Sequence, residues 1–224
     1  MNNNNEHQQP PQEVEIKIDD KVSIKSSLNV FERAKGIVLF AHGSGSGRFS
    51  RRNRYVAGVL GQAGIASLLI DLLTEEEEKV DLVTRELRFD IELLATRVVS
   101  ATKWLLADSA LSKLKIGYFG ASTGASAALV AAAELGEDIG AVVSRGGRPD
   151  LAGPALAKVT VPTLLIVGGS DFVVIDLNKR AMEQLAGERE LLIVPGAGHL
   201  FEEPGALEQV AEHAEKWFSR YLCS

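Results

Sequence analysis

Cysteine is almost missing: Cys223, next to the C-terminus, is the single one in 224 residues. An intrachain disulfide is therefore impossible, that thiol is badly placed for catalysis, and a cytoplasmic protein is expected. Positive charge is also short. Twenty-four Lys and Arg against 30 Asp and Glu leave a net charge of −6, whereas a nucleic-acid binder needs a basic footprint. No apolar run is long enough to span a bilayer, so no membrane partner is expected. Met1 to Gln12 has neither a basic n-region nor an apolar h-region and is not a secretory signal. This polar, low-complexity stretch cannot bury enough surface to offset its ordering entropy. Residues 1–13 are expected to be a disordered tail and residues 14–224 one domain of ordinary size. No internal repeat is present. Histidine is scarce as well, with His7, His42, His199 and His213 making up the whole supply of imidazole.

What is present is a set of apolar runs that end in polar loops. Lys115-Ile-Gly-Tyr-Phe runs into Gly120-Ala-Ser-Thr-Gly124 and then into the small residues Ala125, Ser126, Ala127 and Ala128. An apolar run ending in G-x-S-x-G and opening into a small-residue helix reads as a nucleophile elbow, a turn so sharp that the serine is held strained and exposed. A Cβ at either flanking glycine would strike the neighbouring strand or helix. Pro162 to Asp171 is a second such run ending in an acid, and Leu191 to His199 a third ending in a histidine. Upstream, Gly36 to Gly47 runs into a His-Gly loop where an oxyanion hole is expected. The chain order Ser, Asp, His is that of an α/β-hydrolase sheet.

The rest of the chain fits that sheet. Strands are expected over 14–18 and 22–30, 36–41, 65–71, 141–144, and before Asp171 and Pro195. Helices are expected over 53–62, about 85–107, after Pro149, near 177–185 and over 207–221. The long one carries an apolar stripe at Leu87, Ile91, Leu94, Val98 and Leu105; the last carries Leu207, Val210, Ala214, Trp217 and Tyr221. Strands alternating with helices predict a mostly parallel sheet covered on both faces. Ligands then bind beyond the carboxyl ends of the strands, where Ser122, Asp171, His199 and the His42 loop converge. The stretch from Ser144 to Val161 leaves no room for a large cap domain.

Each candidate has a plainer alternative. Ser122 could be a small turn residue, but the three partner motifs favour a nucleophile, which needs an adjacent base. His199 is the candidate base. His42 is expected to shape its loop or to touch substrate. Asp171 orients the imidazole or merely caps a helix. Thr123 supplies one oxyanion N–H, and Ser44 the second, with Gly43 as the other choice. Gly43-Ser-Gly-Ser-Gly47 lacks the Gly-Lys-Ser/Thr ending of a P-loop and the spacing of G-x-G-x-x-G, so no nucleotide cofactor is expected. Thr74-Glu-Glu-Glu-Glu78 points its side chains in different directions and reads as a solvated loop, leaving no metal site. Arg51 and Arg52, and Arg145 and Arg148, follow strands on the site side. They are expected either to bind substrate or to pair with neighbours such as Asp150.

Over residues 22 to 222 the chain resembles an α/β-hydrolase of the dienelactone-hydrolase-like group. The resemblance rests on His42-Gly43, Gly120-Ala-Ser122-Thr-Gly124, Asp171 and His199-Leu-Phe. Those enzymes carry cysteine where this chain has Ser122, so the resemblance implies hydrolase chemistry rather than a dienelactone substrate. The expected enzyme is a cofactor-independent serine hydrolase of a small-molecule ester or lactone that carries or tolerates a negative charge. An acyltransferase or peptidase with the same triad, and a non-catalytic binding module on the fold, are the alternatives. The resemblance further implies a link to a phosphoribosyltransferase, and a homodimer is the assembly allowed for.

Overall fold

The computed structural model describes residues 10–223. Their strands are β1 (Gln12–Lys17), β2 (Ser23–Asn29), β3 (Gly36–Ala41), β4 (Ile65–Ile70), β5 (Lys115–Ala121), β6 (Ile139–Arg145), β7 (Thr163–Gly168) and β8 (Arg189–Val194). All join one sheet in the spatial order β1-β2-β4-β3-β5-β6-β7-β8. β2 is antiparallel to both β1 and β4, and every other pair is parallel. The helices are α1 (Arg51–Gln62), α2 (Glu75–Thr84), α3 (Ile91–Ala107), α4 (Thr123–Leu135), α5 (Phe172–Gln184) and α6 (Ala206–Leu222).

Strand alternation divides the core in two. Ile37, Leu39 and Ala41 of β3 pack with Leu94 and Val98 of α3 and Ala127 of α4. Val38 and Phe40 face the other way, toward Val56 and Leu60 of α1 and Val210 and Trp217 of α6. With helices on both sides, β3, β4 and β7 are buried at every position, which is why they read as unbroken apolar runs. Burying a side chain the size of Phe119 stabilises by roughly 1.5–3 kcal/mol, and Phe119 is fully buried. Among the described residues no helix is long and apolar enough to cross a membrane.

Three expectations are corrected. The tail is shorter than residues 1–13, because Gln12 and Glu13 already pair with Leu28 and Ser27 in β1; the rest of that assignment, residues 1–9, lies outside the described residues. The glutamate run is helix, not loop. Thr74 closes a capping box, accepting from Glu77 N–H at 3.1 Å while Glu77 Oε2 accepts from Thr74 N–H at 2.8 Å. Four carboxylates in the first turn also suit the positive end of the helix dipole. Finally, the long helix from Arg85 is interrupted. Arg85 is left-handed at φ 59°, residues 87–89 form a 3₁₀ turn, and Asp90 caps a fresh start by accepting from Leu93 N–H at 3.0 Å. Buried Asp81 holds the break by accepting from Arg88 N–H at 2.9 Å and from its guanidinium at 2.7 Å. After β6 the chain makes only a kinked 3₁₀ segment, Pro149–Lys158, with no inserted cap.

Candidate active site

Ser122 joins β5 to α4 at φ 50°, ψ −121°. A non-glycine residue held there costs of order 1–3 kcal/mol, and such strain gathers at functional sites. The surrounding packing enforces it. A Cβ on Gly120 would come within 2.8 Å of Ala125 N, and one on Gly124 within 2.7 Å of the Ala41 carbonyl carbon. Gly43 is equally confined, since its Cβ would lie 3.0 Å from that of Ser122. These glycines let β5, α4 and the loop after β3 approach until backbone meets backbone.

The end of β6 locks onto the same turn. Ser122 N–H donates to Arg145 O at 3.3 Å, and Arg148 N–H donates to Ser122 O at 3.1 Å. Gly146, next in line, sits against His199, with its virtual Cβ 3.1 Å from His199 O and 3.7 Å from Cε1. At the end of β7, Gly168 admits the histidine loop, since a Cβ there would lie 2.9 Å from the Ala197 carbonyl carbon. Ser170 N–H donates to Ala197 O at 2.9 Å, stitching the two loops together. His199 Nδ1 then lies 2.7 Å from Asp171 Oδ2. A carboxylate there accepts a hydrogen bond from Nδ1–H, which keeps the proton on Nδ1 and leaves Nε2 as the accepting nitrogen. The structure thus brings Ser122, Asp171 and His199 to one sheet edge. His7 lies outside the described residues, and His213 is on α6.

Beside Ser122, Thr123 is the first residue of α4, so its N–H is one of the helix's orphan donors. Its hydroxyl lies 3.2 Å from Ser44 Oγ, which places the Ser44 loop alongside. His42 holds that loop. Its Nδ1 donates to Gly43 O at 2.9 Å, and its Nε2 accepts from Leu72 N–H at 2.9 Å. Burial holds its pKa below the usual histidine range, which favours this neutral form. Both ring nitrogens are consumed in tying the loop after β3 to the end of β4, and the residue also borders the cleft beside Ser44 and Thr123.

The arginines separate. Arg148 is bound bidentately to Asp150, at 2.8 and 2.7 Å, the second of the two roles expected for it. Arg51 is exposed in the first turn of α1. Arg145 is buried and does not border the cleft beside Ser44 and Thr123. This narrow cleft, which sequence reasoning missed, is bordered by His42, Gly43, Ser44 and Thr123. Leu72, Leu73, Leu82 and Leu94 supply its apolar wall, with Glu78 and the Asp81–Arg88 pair as polar elements. α2 roofs it, and buried Arg97 on α3 anchors α2 through Glu77 at 2.7 Å. The Thr74-x-x-Glu77 spacing was the readable sign of that helix. Among the described residues no group of three His, Cys, Asp or Glu is placed to hold a metal ion.

A mostly parallel sheet, a strained serine between strand and helix, and a His–Asp pair on the following loops define an α/β-hydrolase. The model of the dienelactone hydrolase family matches residues 26–223, and the chain belongs to that family. It is 61% identical to a dienelactone hydrolase from Anabaena variabilis, whose crystal structure superposes with a TM-score of 0.92 over 96% of this chain and 100% of that one. Est1E from Butyrivibrio proteoclasticus, solved with ferulic acid, shares the fold at 17% identity and a TM-score of 0.79, covering 93% and 98% of the two chains. Two Mycobacterium tuberculosis proteins, each named "Putative phosphoribosyl transferase", are 57% identical over 212 residues. That match takes in 95% of this chain and 47% of theirs, so the chain spans about half the length of those relatives. The chain has the α/β-hydrolase fold of that family.

Proposed function

We propose that the protein is a cofactor-independent serine hydrolase of a small-molecule ester or lactone. The observation that carries this reading is the 2.7 Å His199–Asp171 pair, at the same sheet edge as a serine held at φ 50°. Asp171 fixes the imidazole with Nε2 free, Nε2 takes the Ser122 proton, and Oγ attacks the carbonyl. The N–H groups of Thr123 and Ser44 receive the oxyanion, and water releases the acid from the acyl-enzyme. Among the described residues the Ser122 hydroxyl has no hydrogen-bond partner, in keeping with catalytic bonds that tighten only around substrate.

The cleft beside those N–H groups favours a neutral, apolar substituent. Its leucines supply apolar surface, Arg88 is neutralised by Asp81, and Glu78 adds negative charge. A negative charge on the substrate is therefore not expected to enter from this side. The names of the longer relatives support a functional link between this hydrolysis and phosphoribosyl transfer. The test is turnover of a panel of chromogenic esters, lactones and thioesters, run beside Ser122→Ala. Loss of all turnover in folded Ser122→Ala is expected. Near-normal turnover by that variant overturns the assignment.

A further inference from the structure

Arg145 ends β6 on the side of the sheet covered by α1 and α6, beneath the loop that follows His199. It is 6% exposed, and its Nε is buried without a hydrogen-bond partner. Among the described residues it forms no ion pair; its one close partner is the ring of Phe201, 5.8 Å from the guanidinium carbon. Arg52, in the first turn of α1, is its charged neighbour. Burial first, and then the charge of Arg52, push the pKa of Arg145 down to about 10, so it stays cationic at neutral pH. Arg52 also has a buried Nε without a partner, while an end nitrogen meets Glu202 at 3.1 Å. Among the described residues, then, Arg52 meets one carboxylate, on an exposed side chain, and Arg145 meets none. An uncompensated buried cation is costly, and it is unexpected in a chain with an excess of acid.

We propose that Arg52 and Arg145 form a binding site for a small oxyanion, a carboxylate or phosphate group, behind the His199 loop. Guanidinium forks match the planar or trigonal faces of such groups bidentately, and both Nε–H donors are buried without a partner. The site is separate from the apolar cleft, because none of Arg52, Arg145, Phe201 and Glu202 lines it. Glu202, on the solvent side, already holds Arg52. An arriving anion takes Arg52 from Glu202 and releases that side chain, three residues beyond His199. Gly146, adjoining Arg145, already touches His199, so occupancy is felt at the imidazole. The effect on turnover rests on the hydrolase reading; the binding does not.

The first arm of the test is thermal unfolding of the whole chain in a phosphate titration against chloride at equal ionic strength. The unmutated protein is expected to gain midpoint with rising phosphate, as mass action requires. In Arg52→Gln and in Arg145→Met the apparent affinity is expected to fall by roughly tenfold or more. Anion-free Arg145→Met is expected to melt above the unmutated protein, because an apolar side chain removes the buried charge. Should Arg145→Met fail to fold, Arg52→Gln carries the comparison. The second arm separates the sources of the anion. If phosphate alters turnover of a neutral ester, and Arg52→Gln abolishes that response, the anion is a separate ligand. If Arg52→Gln raises KM only for an ester with a remote carboxylate and not for its methyl ester, the anion is the substrate's own. No phosphate response in the unmutated protein, or the same response in all three proteins, with equal KM effects on both esters, overturns the site. If no ester is turned over at all, the hydrolase reading fails while the thermal arm still decides the binding.

Discussion

His199 Nδ1 lies 2.7 Å from Asp171 Oδ2, although 28 residues separate the two in the chain. Each ends a loop at the carboxyl edge of a neighbouring strand, β8 and β7, and Gly168 is what lets the loops meet. Asp171→Asn keeps a side chain of the same shape but can donate to Nδ1, which favours the wrong tautomer. Turnover is expected to fall by about 10³–10⁴ with KM little changed. Steady-state kinetics beside far-ultraviolet circular dichroism checks this. A folded Asp171→Asn variant with ordinary turnover would show that the pair is structural.

The elbow glycines are expected to be intolerant where other glycines are not. Gly124→Ala drives a Cβ into the backbone of β3, which cannot yield without moving a fully buried strand. Little folded, soluble protein is expected, and no activity. Gly58→Ala, in the middle of α1 with nothing within 4 Å of its Cβ, is expected to stabilise by up to about 1 kcal/mol. Denaturant melts of the two variants read this contrast, and equal tolerance would mean the close approach at Gly124 is not real.

His42 makes stability depend on pH. Burial lowers its pKa from the ordinary 6.5, so between those two values the unfolded chain binds a proton that the native chain does not. Its contribution is complete above about pH 6.5 and is lost as pH falls from there toward the lowered native value, at no more than about 1.4 kcal/mol per pH unit. His42→Gln cannot titrate and is expected to flatten this slope. Urea unfolding at about pH 7.5 and pH 5.5 compares the two proteins, and identical slopes would exclude His42 as the source.

α2 is expected to be the loosest wall of the cleft. Asp81 is its single buried residue, while Leu82 and Val83 are exposed. Thr74→Ala removes the capping box and is expected to cost about 1 kcal/mol. Amides 75–80 should then exchange about fivefold faster, and KM should rise for esters with a bulky acyl group while kcat holds. Unchanged exchange over that segment would argue that Glu77–Arg97 alone fixes the roof.

Much of this was legible in the sequence because the determinants are local. β3, β5, β7 and the run before Pro195 announce themselves as apolar stretches, and the residues that end them, His42, Ser122, Asp171 and His199, share an edge by parallel topology alone. α2 was misread because its surface is acidic and its anchors come from elsewhere: Arg97 is 20 residues from Glu77, and Arg88 follows the break that Asp81 creates. The cleft was invisible for the same reason, since its wall comes from β4's end, α2 and α3. The acceptor role of His42 Nε2 was hidden as well, since Leu72 N–H is a partner 30 residues away that the β3–β4 pairing brings near. Arg148, by contrast, found its partner two residues along, in Asp150.

The role of Ser122 as nucleophile is tested most directly by covalent labelling. Incubation with a fluorophosphonate, followed by proteolysis and mass spectrometry, is expected to place one adduct on the peptide containing Ser122 and none on the Ser122→Ala protein. An adduct on another residue, or ester turnover that survives in a folded Ser122→Ala variant, would contradict it.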